Sequence, residues 1–272
     1  MNSIESDKVF AGSIPKVYQD YLVPLIFEPF AIDLANRVTA LAPARVLELA
    51  AGTGVVTRRL AAALPPATAI VATDLNQAML DQAADTAFDR AIEWRQADAM
   101  RLPFDDASFD VVLCQFGVMF FPDKSAAYAE ARRVLVPGGT LLFNVWDRIE
   151  DNDFANVIDR ALESMFPDDP PRFLSRTPYA YFDHPVIAGG LKAGGFKRAP
   201  VVTRVTARSH ASSANIAAIA FCQGTPLRSE IEARSPSQLG RATDVAAEAI
   251  ARRFGRGIVD GKVQAIVVSV GA

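Results

Sequence analysis

The stretch VLELAAGTGVVTRRL, residues 46–60, decides the fold. Val46, Leu47, Glu48 and Leu49 form a mostly apolar run too short for a helix, which reads as a buried parallel strand. Ala50-Ala51-Gly52-Thr53-Gly54 follows, a turn with little side-chain bulk, and residues 55–60 begin a helical pattern. Strand, glycine turn and helix make the front half of a nucleotide-binding βαβ unit. Glycine lets backbone N–H groups approach a ligand that a Cβ would push away. The helix N-terminus adds free donors and partial positive charge.

Two cofactor classes use such a turn. A dinucleotide fingerprint, G-x-G-x-x-G, needs a third glycine. Counted from Gly52 it falls at Thr57; counted from position 50 the first glycine is missing, because Ala50 stands there. Glu48, just before the turn, suits a ligand carrying an ammonium group. The run ELAAGTG resembles the first motif of class I S-adenosylmethionine-dependent methyltransferases, E/D-x-G-x-G-x-G, and departs from it at Ala50. The resemblance implies that Glu48, Ala50, Gly52, Thr53 and Gly54 line the cofactor.

Outward from this turn the same rhythm continues. Residues 69–73 read as a second strand with Asp74 at its end, 20 residues after Gly54. A carboxylate there can accept from both hydroxyls of a ribose, and it also suits a helix cap. Both cofactor classes call for this acid. ATDLNQAML resembles the second methyltransferase motif, in which the residue after the acid, here Leu75, packs on adenine. Residues 92–96 and 111–114 read as the third and fourth strands. The run QADAMRLPFDDASFDVVLCQFG looks like the third and fourth motifs of small-molecule methyltransferases, especially those resembling the ubiquinone and menaquinone C-methyltransferases. That likeness implies Asp98 accepting from the adenine amine, the Ala99 N–H donating to the ring, Met100 beside them, and Gln115 and Phe116 near the reacting methyl. RVLVPGGTLLFNVW again follows the family: a helix over 125–135, a turn at Pro137-Gly138-Gly139, a fifth strand over 140–146.

The expected fold is therefore α/β: a doubly wound, Rossmann-like sheet of about seven strands, mostly parallel with an antiparallel last strand, helices on both faces, and helical lid and cap insertions. Residues 1–44 read as an N-terminal helical lid segment rich in apolar and aromatic residues, including Val9 and Phe10, with Pro15, Pro24 and Pro29 breaking it into short helices. Residues 45–147 are the cofactor-binding core. Residues 148–185 form a substrate-side insertion rich in Asp, Pro and aromatics. Residues 186–272 close the sheet, with a helical cap insertion at about 210–258, and strands over 201–208 and 263–270 form a hairpin-like edge.

Composition narrows the function. The 272 residues suffice for a large core, and half are hydrophobic. Net charge is −3, from 28 basic and 31 acidic residues, with no long basic run to favour nucleic acid. No apolar stretch reaches the ~18 residues of a membrane span. The start, MNSIESDKVF, lacks a signal-peptide layout. The expectation is a cytoplasmic protein in which Cys114 and Cys222 are free thiols. These cysteines with His184 and His210 give no metal-ligand spacing.

The residues and the resemblance together imply an S-adenosylmethionine-dependent methyltransferase acting by in-line displacement on a small, apolar or aromatic acceptor. The rivals are a nicotinamide-dependent oxidoreductase and a non-catalytic S-adenosylmethionine-binding module. Much of such a transfer rests on placing acceptor and methyl together, and a base is needed only if the acceptor must lose a proton. Gln115, His184 and Tyr18 are the catalytic candidates. Tyr18 and Tyr21, three apart, would share a helix face, cover the cofactor, attract its sulfonium and reach its carboxylate. A homodimer is left open.

Overall fold

The computed structural model describes residues 14–85 and 88–272, so Val9 and Phe10 of the predicted lid segment lie outside the described residues. Seven strands form one sheet in the order β3-β2-β1-β4-β5-β7-β6. They are β1 Arg45–Leu49, β2 Ala69–Asp74, β3 Glu93–Gln96, β4 Phe109–Gln115, β5 Leu135–Trp146, β6 Val201–Ala211 and β7 Val259–Gly271. The pairs β1–β2, β1–β4, β2–β3 and β4–β5 are all parallel. Between β6 and β7 the side-chain pairs Thr206–Gln264 and Arg208–Asp260 advance in opposite senses, so these strands are antiparallel. The doubly wound sheet read from the sequence is the sheet observed.

The chain divides into two compact units. The sheet unit contains residues 29–145, 181–205 and 265–272. Its central strands β1 and β4 bury Val46, Leu47 and Leu49 and Val111 to Cys114, which is why their sequences are near-continuous apolar runs rather than alternating ones. Helix α2, Glu28–Ala40, buries Phe30, Ala31, Leu34, Ala35 and Val38 along one stripe. Each such aromatic or leucine contributes roughly 1.5–3 kcal/mol by leaving water. Helix α3, Val55–Ala63, follows β1; α4, Gln77–Ala84, follows β2. Helix α5, Lys124–Val134, starts where the Asp123 side chain accepts from the Ala126 N–H at 2.9 Å. Helix α8, His184–Ala193, is capped in the same way by Asp183.

The cap unit contains residues 14–28, 146–180 and 206–264. It begins with α1, Ile14–Val17, and a π-helix, Tyr18–Phe27. Helices α6 (Asp153–Met165), α7 (Phe173–Arg176), α9 (Ala214–Gln223), α10 (Leu227–Arg234) and α11 (Leu239–Phe254) complete it. Pro226 and Pro236 fall between α9 and α10 and between α10 and α11. Alanines at 217, 218, 242 and 246 are fully buried, and their small size lets helices approach closely around Ile158, Phe221 and Ile250. A buried polar cluster is held together by hydrogen bonds. Gln264 donates from its backbone to Asn152 Oδ1 and from Nε2 to Asp147 Oδ2, and accepts from Thr206. No helix among the described residues is long and apolar enough to cross a membrane.

Two local readings need correction. Pro15, Pro24 and Pro29 do not break residues 14–40 into separate helices. Pro15 and Pro29 each stand second in their helical segment, and the helical run continues through both. Pro24 lies inside the π-helix, whose i→i+5 bonding, seen in the Glu28 N–H donating to Val23 O, accommodates the ring. Nor does Pro137-Gly138-Gly139 end the helix by a separate turn. Helix α5 stops at Val134, and β5 starts at Leu135, opposite Phe109, but resumes at Thr140, opposite Val111. Three extra residues therefore bulge out of β5 there, with Gly138 at φ 82°.

Candidate cofactor site

Strand order reverses between β1 and β4, and the carboxyl ends beside that point are where an open α/β sheet binds ligands. Register brings the candidates level. Leu49 pairs with Cys114, Asp74 with Gln96, and Gln115 with Asn144. Glu48, Gly52, Thr53, Asp74, Gln115 and Phe116 thus gather at one edge of the sheet unit.

The glycine turn is tied down on both sides. The Ala51 N–H donates to Thr73 O, and the Gly54 N–H to Ala51 O, both at 2.9 Å. Arg58 Nη1 donates to Thr53 O at 2.7 Å. Gly52 and Gly54 have φ 58° and 77°, as the turn requires. Ala50 also takes a left-handed φ, 51°, where the family motif has glycine. The chain keeps the turn's geometry at the cost of strain. Space is tight as well: a Cβ on Gly117 would lie 2.5 Å from Ala50 Cβ.

Asp74 is buried and already engaged. Its Oδ2 accepts from the Gly52 N–H at 2.9 Å and its Oδ1 from the Asn76 N–H at 2.8 Å. It therefore braces the glycine turn against the end of β2. Burial raises its carboxyl above the usual range, and these backbone donors oppose that rise. The Asn76 Nδ2 amide adds a longer bond to Oδ1 at 3.5 Å. Downstream, Leu75 is 47% exposed, unusual for leucine and apt for packing on a flat ring. Asp98 is half-buried; its Oδ1 accepts from the Met100 N–H at 2.9 Å, which turns the chain at Asp98-Ala99-Met100. The Ala97 N–H donates to Asp74 O, linking this loop to β2.

Glu48 is 1% exposed, and Thr57 Oγ1 donates to its Oε2 at 2.6 Å. Burial pushes its carboxyl up to about 8, with Thr57 and Arg58 opposing and Asp74 reinforcing the rise. Thr57, whose presence departs from the dinucleotide fingerprint, is thus the hydroxyl partner of Glu48 and has a structural reason to stand there. Asn144 is a second residue the motifs did not single out. Its Oδ1 accepts from the Phe116 N–H at 2.9 Å, and its signal in the sequence is an amide interrupting an apolar strand. Phe116 sits at φ 51° with its ring edge-on to Phe30, 5.4 Å away. Backbone outliers of this kind concentrate at ligand sites.

Three buried side-chain atoms in this region have no hydrogen-bond partner: Thr53 Oγ1, Gln115 Oε1 and Asn144 Nδ2. Buried polar atoms are nearly always paired, so orphans gathered at strand ends fit the polar end of a ligand. Cys114 offers no nucleophile, since burial pushes its thiol up to about 12. His184 is exposed at the first position of α8, a surface helix, and makes no part of this cluster. Tyr18 and Tyr21 belong to the cap unit. Tyr18 packs on Phe27 at 5.1 Å. In an i→i+5 helix residues three apart do not share a face as they would in an α-helix, so the common face expected of the two tyrosines is not formed that way.

A sheet of this order, with a glycine turn after β1 and carboxylates near the end of β1, at the end of β2 and just after β3, has the class I S-adenosylmethionine-dependent methyltransferase fold. Residues 47–143 match the family described as a methyltransferase domain. The chain is 32% identical over 167 residues to the ubiquinone/menaquinone biosynthesis C-methyltransferase UbiE of Stutzerimonas stutzeri, covering 57% of this chain and 65% of that protein. It is 39% identical over 121 residues to the UbiE of Hahella chejuensis, covering 43% and 47%. The chain thus spans less than two thirds of the length of both relatives. Among solved structures, the YcgJ protein of Bacillus subtilis superposes with a TM-score of 0.56 at 18% identity, over 89% of this chain and 98% of that one. A candidate methyltransferase of Bacillus halodurans gives 0.53 at 20%, over 88% and 97%. At such identities these two speak for the fold alone.

Proposed function

We propose that the protein is an S-adenosylmethionine-dependent methyltransferase acting on carbon of a small, apolar or aromatic acceptor. The observation that carries this is the set of three carboxyls, Glu48, Asp74 and Asp98, near the carboxyl ends of β1, β2 and β3, with a braced glycine turn at the reversal of strand order. The cofactor would supply an electrophilic methyl on a sulfonium. In this reading Asp74 accepts from the ribose hydroxyls while holding the turn, and Asp98 accepts from the adenine amine. Leu75 packs on the ring, and the turn from Ala50 to Gly54 lets backbone donors close in. Gln115 and Phe116 stand toward the acceptor. Catalysis then consists largely of holding acceptor and methyl in line, away from water.

Tyr18 and Tyr21 retain in this proposal the role of shielding the cofactor. The UbiE relatives support carbon as the methylated atom. A nicotinamide reading is not favoured, because Thr57 occupies the third glycine's place and is engaged with Glu48. The test is incubation with methyl-labelled S-adenosylmethionine and a panel of hydroquinones and phenols. Label in a carbon-methylated product supports the proposal. Cofactor bound but unconsumed across the panel and a metabolite extract would favour a non-catalytic binding module.

A further inference from the structure

We propose that Glu48 is a proton-exchanging anchor, which gives up its carboxyl proton to solvent when a cationic ligand group seats at the carboxyl end of β1 and then serves as that group's counter-ion. The inference rests on the cofactor reading above and adds a proton to its binding reaction. The step breaks the carboxyl O–H bond, leaves the electron pair on the carboxylate and sends the proton to the buffer.

The surroundings of Glu48 require such an exchange. The side chain is 1% exposed, and its hydrogen-bond donor is the neutral hydroxyl of Thr57, at 2.6 Å. No lysine or arginine forms an ion pair with it among the described residues. Arg58, on the same helix as Thr57, exerts a favourable field but directs Nη1 to Thr53 O. Asp74 faces it from β2 and repels its charge. Cys114, on the neighbouring strand β4 but projecting from its other face, stays a neutral thiol. An isolated buried carboxylate is costly, so with these neighbours the free protein holds Glu48 protonated at neutral pH. Burial sets its midpoint at about 8.

What would reverse that state is a cation brought to the same place, and the sheet offers it further acceptors. Glu48 pairs with Leu113 in the parallel register, so Gln115, two residues on, projects from the same face. Gln115 Oε1 is buried without a donor, as is Thr53 Oγ1 in the adjoining turn. A carboxyl, an amide oxygen and a hydroxyl match a group that carries positive charge and several N–H donors. An ammonium fits that description; a carboxylate or phosphate does not.

The test is titration calorimetry of the full chain with S-adenosylhomocysteine, at pH 7, in buffers of different ionisation enthalpy, which counts the protons released. Glu48→Gln, an isostere of the neutral carboxyl, should fold normally and removes the exchangeable proton. The wild type should release nearly one proton more than Glu48→Gln at pH 7, and the difference should vanish by pH 9. Wild-type affinity should tighten by up to about tenfold per pH unit between 6 and 8. Thr57→Val, which removes the donor that favours the ionised form, should move that profile to higher pH. Equal proton counts in the wild type and Glu48→Gln, or an unmoved profile in Thr57→Val, overturn the proposal while the cofactor reading stands. Should Glu48→Gln fail to fold, wild-type binding with no proton released at pH 7 overturns it equally. Absence of any binding by the wild type overturns the cofactor reading itself.

Discussion

Replacing Asp74 by alanine separates its two assignments, brace and ligand. In the free protein its oxygens accept from the Gly52 and Asn76 N–H groups at 2.9 and 2.8 Å. Each hydrogen bond to a charged acceptor is worth about 1.5–3 kcal/mol. Part of that sum returns on substitution, because burying the carboxyl is itself unfavourable, as its raised protonation range shows. The net loss of stability should be about 2–3 kcal/mol. At roughly 2–4 °C per kcal/mol for a chain approaching this size, Tm should fall by about 4–12 °C. Ligand binding should weaken further through the lost ribose contacts, by about 1.5–3 kcal/mol or roughly 10- to 150-fold. Scanning calorimetry without ligand measures the first effect. Titration with S-adenosylmethionine well below the new Tm measures the second. An unchanged Tm refutes the brace; unchanged affinity refutes the ribose role.

Other outcomes follow from the same geometry. Glu48 has a midpoint of about 8 in the folded protein against an ordinary 4.5, so the folded state holds the extra proton between those values. Its stability contribution is therefore full below about 4.5 and lost as pH rises toward 8, at up to about 1.4 kcal/mol per pH unit. Urea unfolding of Glu48→Gln without ligand should show that slope removed; a slope equal to wild type refutes the assignment. Ala50→Gly should stabilise by about 0.5–1 kcal/mol, since relief of a left-handed alanine, about 1–2 kcal/mol, exceeds the added chain entropy. A lower denaturation midpoint would show that Ala50 is not strained. Cys114 and Cys222 are both buried, with thiols pushed up to about 12. A thiol reagent should label neither in the native protein at pH 8 and both after denaturation; rapid native labelling would contradict their burial.

The sheet was legible because its signals are local. Val46–Leu49 and Val111–Cys114 are apolar runs bounded by turns, and a buried parallel strand leaves little else for such a run to be. The glycine turn and Asp74 declared themselves by spacing. What was not legible depended on distant partners. Nothing near Glu48 in sequence says that its carboxyl is shut away with one hydroxyl, or that this hydroxyl is Thr57. Asp74 read as a strand-end acid suited to a ribose or a cap, and its spacing did not show that it is only 7% exposed and holds two backbone donors. Pro24 read as a helix breaker because the α-helical ladder is the default, and the π-helix that admits it is rare. The pair Tyr18 and Tyr21 was placed by α-helical periodicity and inherited the same error. Deleting the first 30 residues would be a poor test of shielding, since Leu22, Val23, Leu25, Ile26 and Phe27 are buried. Tyr18→Ala is the cleaner perturbation.

The central claim is that the braced turn and its three carboxyls form a site for S-adenosylmethionine. Titration calorimetry of the full chain with S-adenosylmethionine, S-adenosylhomocysteine and NAD tests it directly. Saturable one-to-one binding of the first two, lost together in an Asp74→Ala/Asp98→Ala double variant, with no heat from NAD, is the predicted result. Tight NAD binding with no response to the other two would contradict it.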